Sequence, residues 1–179
     1  FSATSPDLFR GALRKFVESG SHKLILDLRG NPGGYLEAAV DMASWFLPAG
    51  AVVVSEDFGK KMSPIVYRSK GRNYFNETLR MVILVDGGPA SASEILAGAL
   101  QEHGVAKLVG ANTFGKGSVQ ELVNITPDTS LKITVARWLT PSGNSISEKG
   151  IKPDIEVKVT EDDILKGRDT QMEVAIESL

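Results

Sequence analysis

The stretch DGGPASASEILAGALQEHGVAKLVGANTFGKGSVQ (Asp86–Gln120) decides how this chain is read. It is preceded by an apolar run, Met81-Val82-Ile83-Leu84-Val85, which has the look of a buried strand. Gly87, Gly88 and Pro89 turn that strand, small residues follow from Ala90 to Ser93, and a helical pattern opens at Glu94-Ile95-Leu96. A serine at a strand-to-helix junction sits among unpaired backbone N–H groups at the positive end of the helix dipole, and such donors can hold an oxyanion. Further on, Lys116 lies between Gly115 and Gly117, and Gln120 follows it. A serine, a lysine and a neutral amide are the parts of a Ser-Lys hydrolase.

Nearer the start of the chain, Ser5-Pro6-Asp7 opens a helix with Leu8, Phe9, Ala12, Leu13, Phe16 and Val17 on one face, ending at Gly20. Leu24 to Leu28 is expected as a strand buried on both faces, where Asp27 is costly unless hydrogen-bonded. The turn Arg29–Gly34 follows, with Arg29 and Glu37 read as solvated. A second amphipathic helix is marked by Leu36, Ala39, Val40, Ala43, Phe46 and Leu47, and Ala51 to Val54 returns as a strand. Residues 55–78 are polar and broken by Gly and Pro around Ile65-Val66-Tyr67, and are expected as an insertion at the edge of the fold. The strand Met81–Val85, the helix Ser91–His103 and the strand Lys107–Val109 form a strand-helix-strand unit. Glu121–Ile125 and Leu131–Thr140 form an antiparallel pair turning at Pro127-Asp128. A strand Ile155–Val159 and a helix from about Asp169 complete an α/β order with small antiparallel additions.

Composition narrows the functional classes. The 179 residues suit one domain with a real core, and 42% hydrophobic with 23% charged residues is a globular balance. A net charge of −2 gives no electrostatic case for nucleic acid or an anionic membrane surface. No apolar run approaches the roughly 20 residues that span a bilayer. The chain starts at Phe1, shows no signal peptide and is expected to be a piece of something longer. With no cysteine, thiol chemistry and disulfides are excluded, and two separated histidines, His22 and His103, make a poor zinc set.

Each motif also has a local reading. Ser91 and Ser93 both suit a helix cap, but residues two apart do not share a helix face, so only one can point at a site. Gly110 to Lys116 matches G-x-x-x-x-G-K of a phosphate-binding loop, yet Gly117 stands where a hydroxyl is required and a strand pattern follows in place of a helix. His103 lies about 18 Å from Ser91 along a helix rising 1.5 Å per residue, which removes it as a partner for that serine.

Four motifs taken in order resemble the carboxyl-terminal processing proteases, or tail-specific proteases, a family of Ser-Lys serine endopeptidases: LDLRGNPGG (Leu26–Gly34), SASE (Ser91–Glu94), TFGKGSVQ (Thr113–Gln120) and KITVARWLTPSG…KGIKPDI (Lys132–Ile155). The resemblance covers nearly the whole chain. It implies a crotonase/ClpP-like fold of stacked ββα units, with residues 1–179 a single catalytic core. The PDZ-like domain that family members carry before the core is not in this sequence. The resemblance makes Ser91 the nucleophile, Lys116 the general base and Gln120 the residue orienting the lysine, with Ser93 and Glu94 in capping or supporting roles. The oxyanion donors would be the backbone N–H of Ala92 and that of Gly33 or Gly34.

That chemistry asks Lys116 to be neutral, well below the ordinary lysine pKa of about 10.4, and enclosure among Phe114, Gly115, Gly117 and Val119 is the expected means. No metal or organic cofactor is implied. The substrates expected are proteins or peptides cut near their C-termini, in the periplasm, cell envelope or thylakoid lumen. The alternatives are a non-catalytic, retinoid-binding-like module of the same fold and a crotonase-like acyl-CoA enzyme. The intact Ser91, Lys116 and Gln120 set favours the peptidase.

Overall fold

A computed structural model describes residues 1–75 and 78–179; Asn76 and Glu77, at the end of the predicted insertion, lie outside the described residues. The helix α1 (Ser5–Glu18) leads into β1 (Lys23–Asp27), and α2 (Leu36–Ala43) into β2 (Val52–Asp57). A 3₁₀ turn at Gly59–Lys61 precedes β3 (Ile65–Arg68). The unit around Ser91 is β4 (Arg80–Val85), α3 (Ala92–Glu102) and β5 (Ala106–Gly110). A long hairpin, β6 (Ser118–Thr126) and β7 (Thr129–Leu139), is followed by a short β8 (Ile155–Glu156), α4 (Glu161–Leu165) and α5 (Thr170–Glu177).

The strands divide into two sheets. One is parallel, in the order β1-β4-β5-β8, and the other antiparallel, in the order β3-β2-β7-β6. In the parallel sheet Leu26 pairs with Ile83, and Ile83 with Leu108. The central strand β4 is apolar at every position from Met81 to Val85 because both of its faces are covered. Met81, Ile83 and Val85 join α2, α3, Phe46, Leu47 and Trp138 in the main core. Val82 and Leu84, pointing the other way with the period of a strand, pack with Val109, Val157 and Ala175 of α5. The α3 helix is buried from Ala92 through Leu100, which explains why its sequence is small and apolar almost all round.

Several expectations are corrected. β1 is not buried on both faces: it is the edge of the parallel sheet, its ends Lys23 and Asp27 are exposed, and Asp27 has no core position to be costly in. The second helix stops at Ala43, and Phe46 and Leu47 enter the core from the turn that follows. β8 is two residues long rather than five, and α4, capped by Thr160 through the Asp163 N–H, was not foreseen. Within the predicted insertion, Ile65–Arg68 does form an edge strand, on β2 of the antiparallel sheet.

Leu96 of α3 is fully buried in the main core. Leu96→Ala should therefore lower stability by about 2–5 kcal/mol, seen as an earlier urea midpoint at unchanged slope. A loss under about 1 kcal/mol would mean that α3 does not anchor the core.

Candidate active site

The site forms where β4 gives way to α3. Ser91 occupies the helix N-cap with φ 54° and ψ −118°, a conformation that L side chains rarely adopt. Such strain persists only where the surroundings hold it, and a serine on a sharp strand-to-helix turn is presented outward. Ser91 is partly exposed, whereas Ser93 has no exposed surface and donates its hydroxyl to the Asn31 carbonyl at 3.0 Å. The two serines thus face different ways. Ser93 belongs to the packing between α3 and the Asn31 turn.

Glu94 holds this region together. It is fully buried, and its carboxylate collects four donors from two parts of the chain. One oxygen accepts the Thr113 hydroxyl at 2.5 Å and the Gly115 N–H at 2.7 Å. The other accepts the Ser91 N–H at 3.0 Å and the Lys116 N–H at 2.9 Å. The backbones of Ser91 and Lys116 are therefore pinned to a single atom. Glu94 both caps α3 and supports a second segment, and its reach to Thr113–Lys116 is not visible in the sequence. The one available signal was an acidic residue within the small and apolar run Ala92–Leu100, where a buried charge demands several partners.

The loop bearing Lys116 is held from two further sides. Phe114 N–H donates to the Pro89 carbonyl at 3.1 Å, and Thr113 exchanges bonds with Ile151 through its N–H at 3.2 Å and its hydroxyl at 2.7 Å. Glu148 N–H donates to the Gly115 carbonyl at 3.0 Å. The KGIKPDI segment is thus a brace for the TFGK loop. β6 begins directly after Gly117, so no helix N-terminus follows the glycine-lysine motif and the phosphate-loop alternative has no seat. Gln120 lies at a register shift between Val119 and Gln120 in the β6–β7 pairing, and such bulges re-aim side chains.

The expected enclosure of the lysine is not formed. Lys116 is exposed, and Phe114 beside it is 66% exposed. The neighbouring glycines and Val119 do not cover Lys116. Gln120 is exposed as well. His103 sits at the far end of α3 from Ser91, its ring against the Val52 carbonyl at 2.8 Å.

The second glycine turn lies against the first. At Gly33, with φ +87°, a Cβ would come 2.3 Å from the Ala90 carbonyl oxygen, 2.9 Å from the Ala92 nitrogen and 3.2 Å from the Ser91 Cβ. Only glycine allows that approach. Gly33 N–H is taken by the Asn31 side-chain oxygen at 3.0 Å, while Gly34 N–H has no acceptor among the described residues. The Ala92 N–H, first in α3, has no intrahelical partner by position. Asp86 joins the two turns, accepting Gly30 N–H at 2.9 Å and Gly88 N–H at 2.8 Å on one oxygen. Arg29 is not solvated as expected: it is paired with Asp27 and Asp169, and its hydrogen bonds hold both carboxyls below the ordinary carboxylate range.

Glu94→Gln should cost both stability and activity, since an amide nitrogen cannot accept from two N–H or O–H donors and leaves them buried and unpaired, at about 1–3 kcal/mol each. A fall of less than about 1 kcal/mol in urea unfolding would show that the four bonds are not made. Gly33→Ala should eliminate activity through the clash at Ala90 and Ala92, and a fully active variant would show that the two turns are not in contact.

Comparison with known proteins places the chain in a family. The model of peptidase family S41 matches residues 1–157. The chain is 37% identical over 159 residues to the carboxy-terminal processing protease CtpA of Bacillus subtilis, covering 89% of this chain and 34% of that protein. Among solved structures it superposes on the photosystem II D1 C-terminal processing protease with a TM-score of 0.80 at 31% identity, over 88% of this chain and 40% of the other. Mature CPAF matches all of this chain and 47% of its own with a TM-score of 0.79 at 15% identity, a likeness of fold alone. The chain spans about a third of the length of CtpA. On the family match and the identity to CtpA, the chain belongs to peptidase family S41.

Proposed function

We propose that this chain is the catalytic core of a carboxyl-terminal processing serine endopeptidase. The observation carrying this reading is the shared Glu94 oxygen, which accepts the backbone N–H groups of a strained helix-cap serine and of a lysine distant in sequence. Ser91 is the nucleophile and Lys116 the general base, with Gln120 orienting the amine. A neutral amide suits that role because a carboxylate there would hold the lysine in its ammonium form.

In the reaction, the Lys116 amine takes the proton of the Ser91 hydroxyl as the oxygen attacks the scissile carbonyl. The developing oxyanion is met by the Ala92 N–H and by Gly34, whose amide is not committed to Asn31. Lys116 passes the proton to the leaving amine, and water then releases the acyl group from Ser91. Lys116 is exposed in the free chain, so the polypeptide lying across the site supplies the exclusion of water that the base needs. Action on the C-terminal region of proteins, and a place outside the cytoplasm, rest on the likeness to the processing proteases.

Ser91→Ala and Lys116→Ala should each abolish hydrolysis of a fluorogenic peptide with the fold retained by circular dichroism. Ser93→Ala, which only loosens the Asn31 turn, should keep activity within about tenfold, as loss of one neutral hydrogen bond costs about 1 kcal/mol. An inactive Ser93→Ala beside an active Ser91→Ala would reverse the assignment. Activity of the wild-type chain should also survive EDTA; loss that zinc restores would replace the Ser-Lys mechanism with a metal one.

A further inference from the structure

The turn that carries the oxyanion glycines is fastened at its start by one arginine. Arg29 donates all five of its guanidinium N–H groups, the full capacity of the side chain. Its Nε donates to an Asp27 oxygen at 3.0 Å, and Nη2 to the other Asp27 oxygen at 2.8 Å. Nη1 and Nη2 reach the two oxygens of Asp169 at 2.7 and 2.8 Å, a bidentate pairing. The fifth contact runs from Nη1 to the Gln171 side-chain oxygen at 3.3 Å. The Arg29 side chain is only 20% exposed. A solvated surface arginine does not commit every donor, and a planar five-donor fork tying two carboxylates fixes direction as well as distance.

The partners join distant parts of the chain. Asp169 is also the N-cap of α5, accepting the Met172 N–H at 3.0 Å, and Gln171 donates onward to the Val157 carbonyl at 3.2 Å. The same α5 packs Ala175 behind β4 and β5. On the other side, Arg29 leads straight into Gly30, held by Asp86, then Asn31, held by Ala90 and Ser93, then Gly33 against Ser91. The match to the family model ends at residue 157, before α4 and α5.

We infer that Arg29 and Asp169 are positioning residues, a latch through which the C-terminal helix α5 sets the glycine turn against Ser91. This rests on the proposed Ser91 mechanism, in which that turn supplies an oxyanion donor. Neither residue touches the reacting atoms; they act through Gly33 and Gly34. Asp169→Asn is the informative change, because asparagine still caps α5 while the charged fork is lost.

The test measures peptide hydrolysis and amide hydrogen exchange on the whole chain for the wild type, Asp169→Asn and Arg29→Lys. Asp162→Asn, in the exposed Lys166 and Arg168 pairs of α4, serves as control. Both latch variants should lose about tenfold or more in kcat with KM nearly unchanged, the signature of a misplaced transition-state donor. Exchange at the protected amides of Gly30, Asn31, Gly33 and Tyr35 should speed about tenfold while α5 and the control stay as in the wild type. Should α5 itself open in Asp169→Asn, Arg29→Lys, which leaves Asp169 and its cap intact, decides. Unchanged exchange in the glycine turn overturns the latch, and faster exchange with unchanged kcat overturns its part in positioning. A wild-type chain that hydrolyses no peptide, with exchange responding as expected, leaves the latch standing and removes the proposed mechanism instead.

Discussion

A charge with no access to water must be answered by donors, and Glu94 is such a charge. Four donors from the Ser91 turn and the Thr113–Lys116 loop converge on it. The requirement is electrostatic and local, but its consequence is global. Two segments with no adjacency in sequence are obliged to meet at the start of α3, and the loop is then braced from behind by Ile151 and Glu148. Breaking such a set leaves unpaired groups in a low-dielectric interior, which is far more costly than never having made it.

The parallel sheet supplies the platform. β4 and β1 end side by side, so the turns that follow them emerge at the same edge and can share Asp86. One turn brings Ser91 and the other brings the glycines. Residues at the carboxyl ends of neighbouring parallel strands are where open α/β sheets place their ligands, and the proposed site lies at that edge.

Much of this was legible from residue patterns. The continuous apolar run Met81–Val85 announced a buried strand, and the glycines and small residues after it announced the turn into a helix. Helical geometry allowed only one of Ser91 and Ser93 to face a site, and the family resemblance singled out Ser91. What stayed hidden depends on partners remote in sequence. Arg29 looks like any turn arginine until Asp169 arrives beside it, and β1 looks buried until the sheet order makes it an edge. The enclosure of Lys116 failed for a related reason: small and apolar neighbours in sequence do not cover a side chain unless another element folds over it.

The backbone at Ser91 sets stability and chemistry against each other. A side chain is held at φ 54°, ψ −118°, where glycine would rest more easily, and strain of this kind is worth about 1–3 kcal/mol. A chain selected only for persistence would relax at this position, and in relaxing it would discard its hydroxyl. The fold therefore keeps a strained residue where its proposed reaction begins, and mutations that stabilise the protein are more safely sought in the exposed β6–β7 hairpin than in the turn above β4.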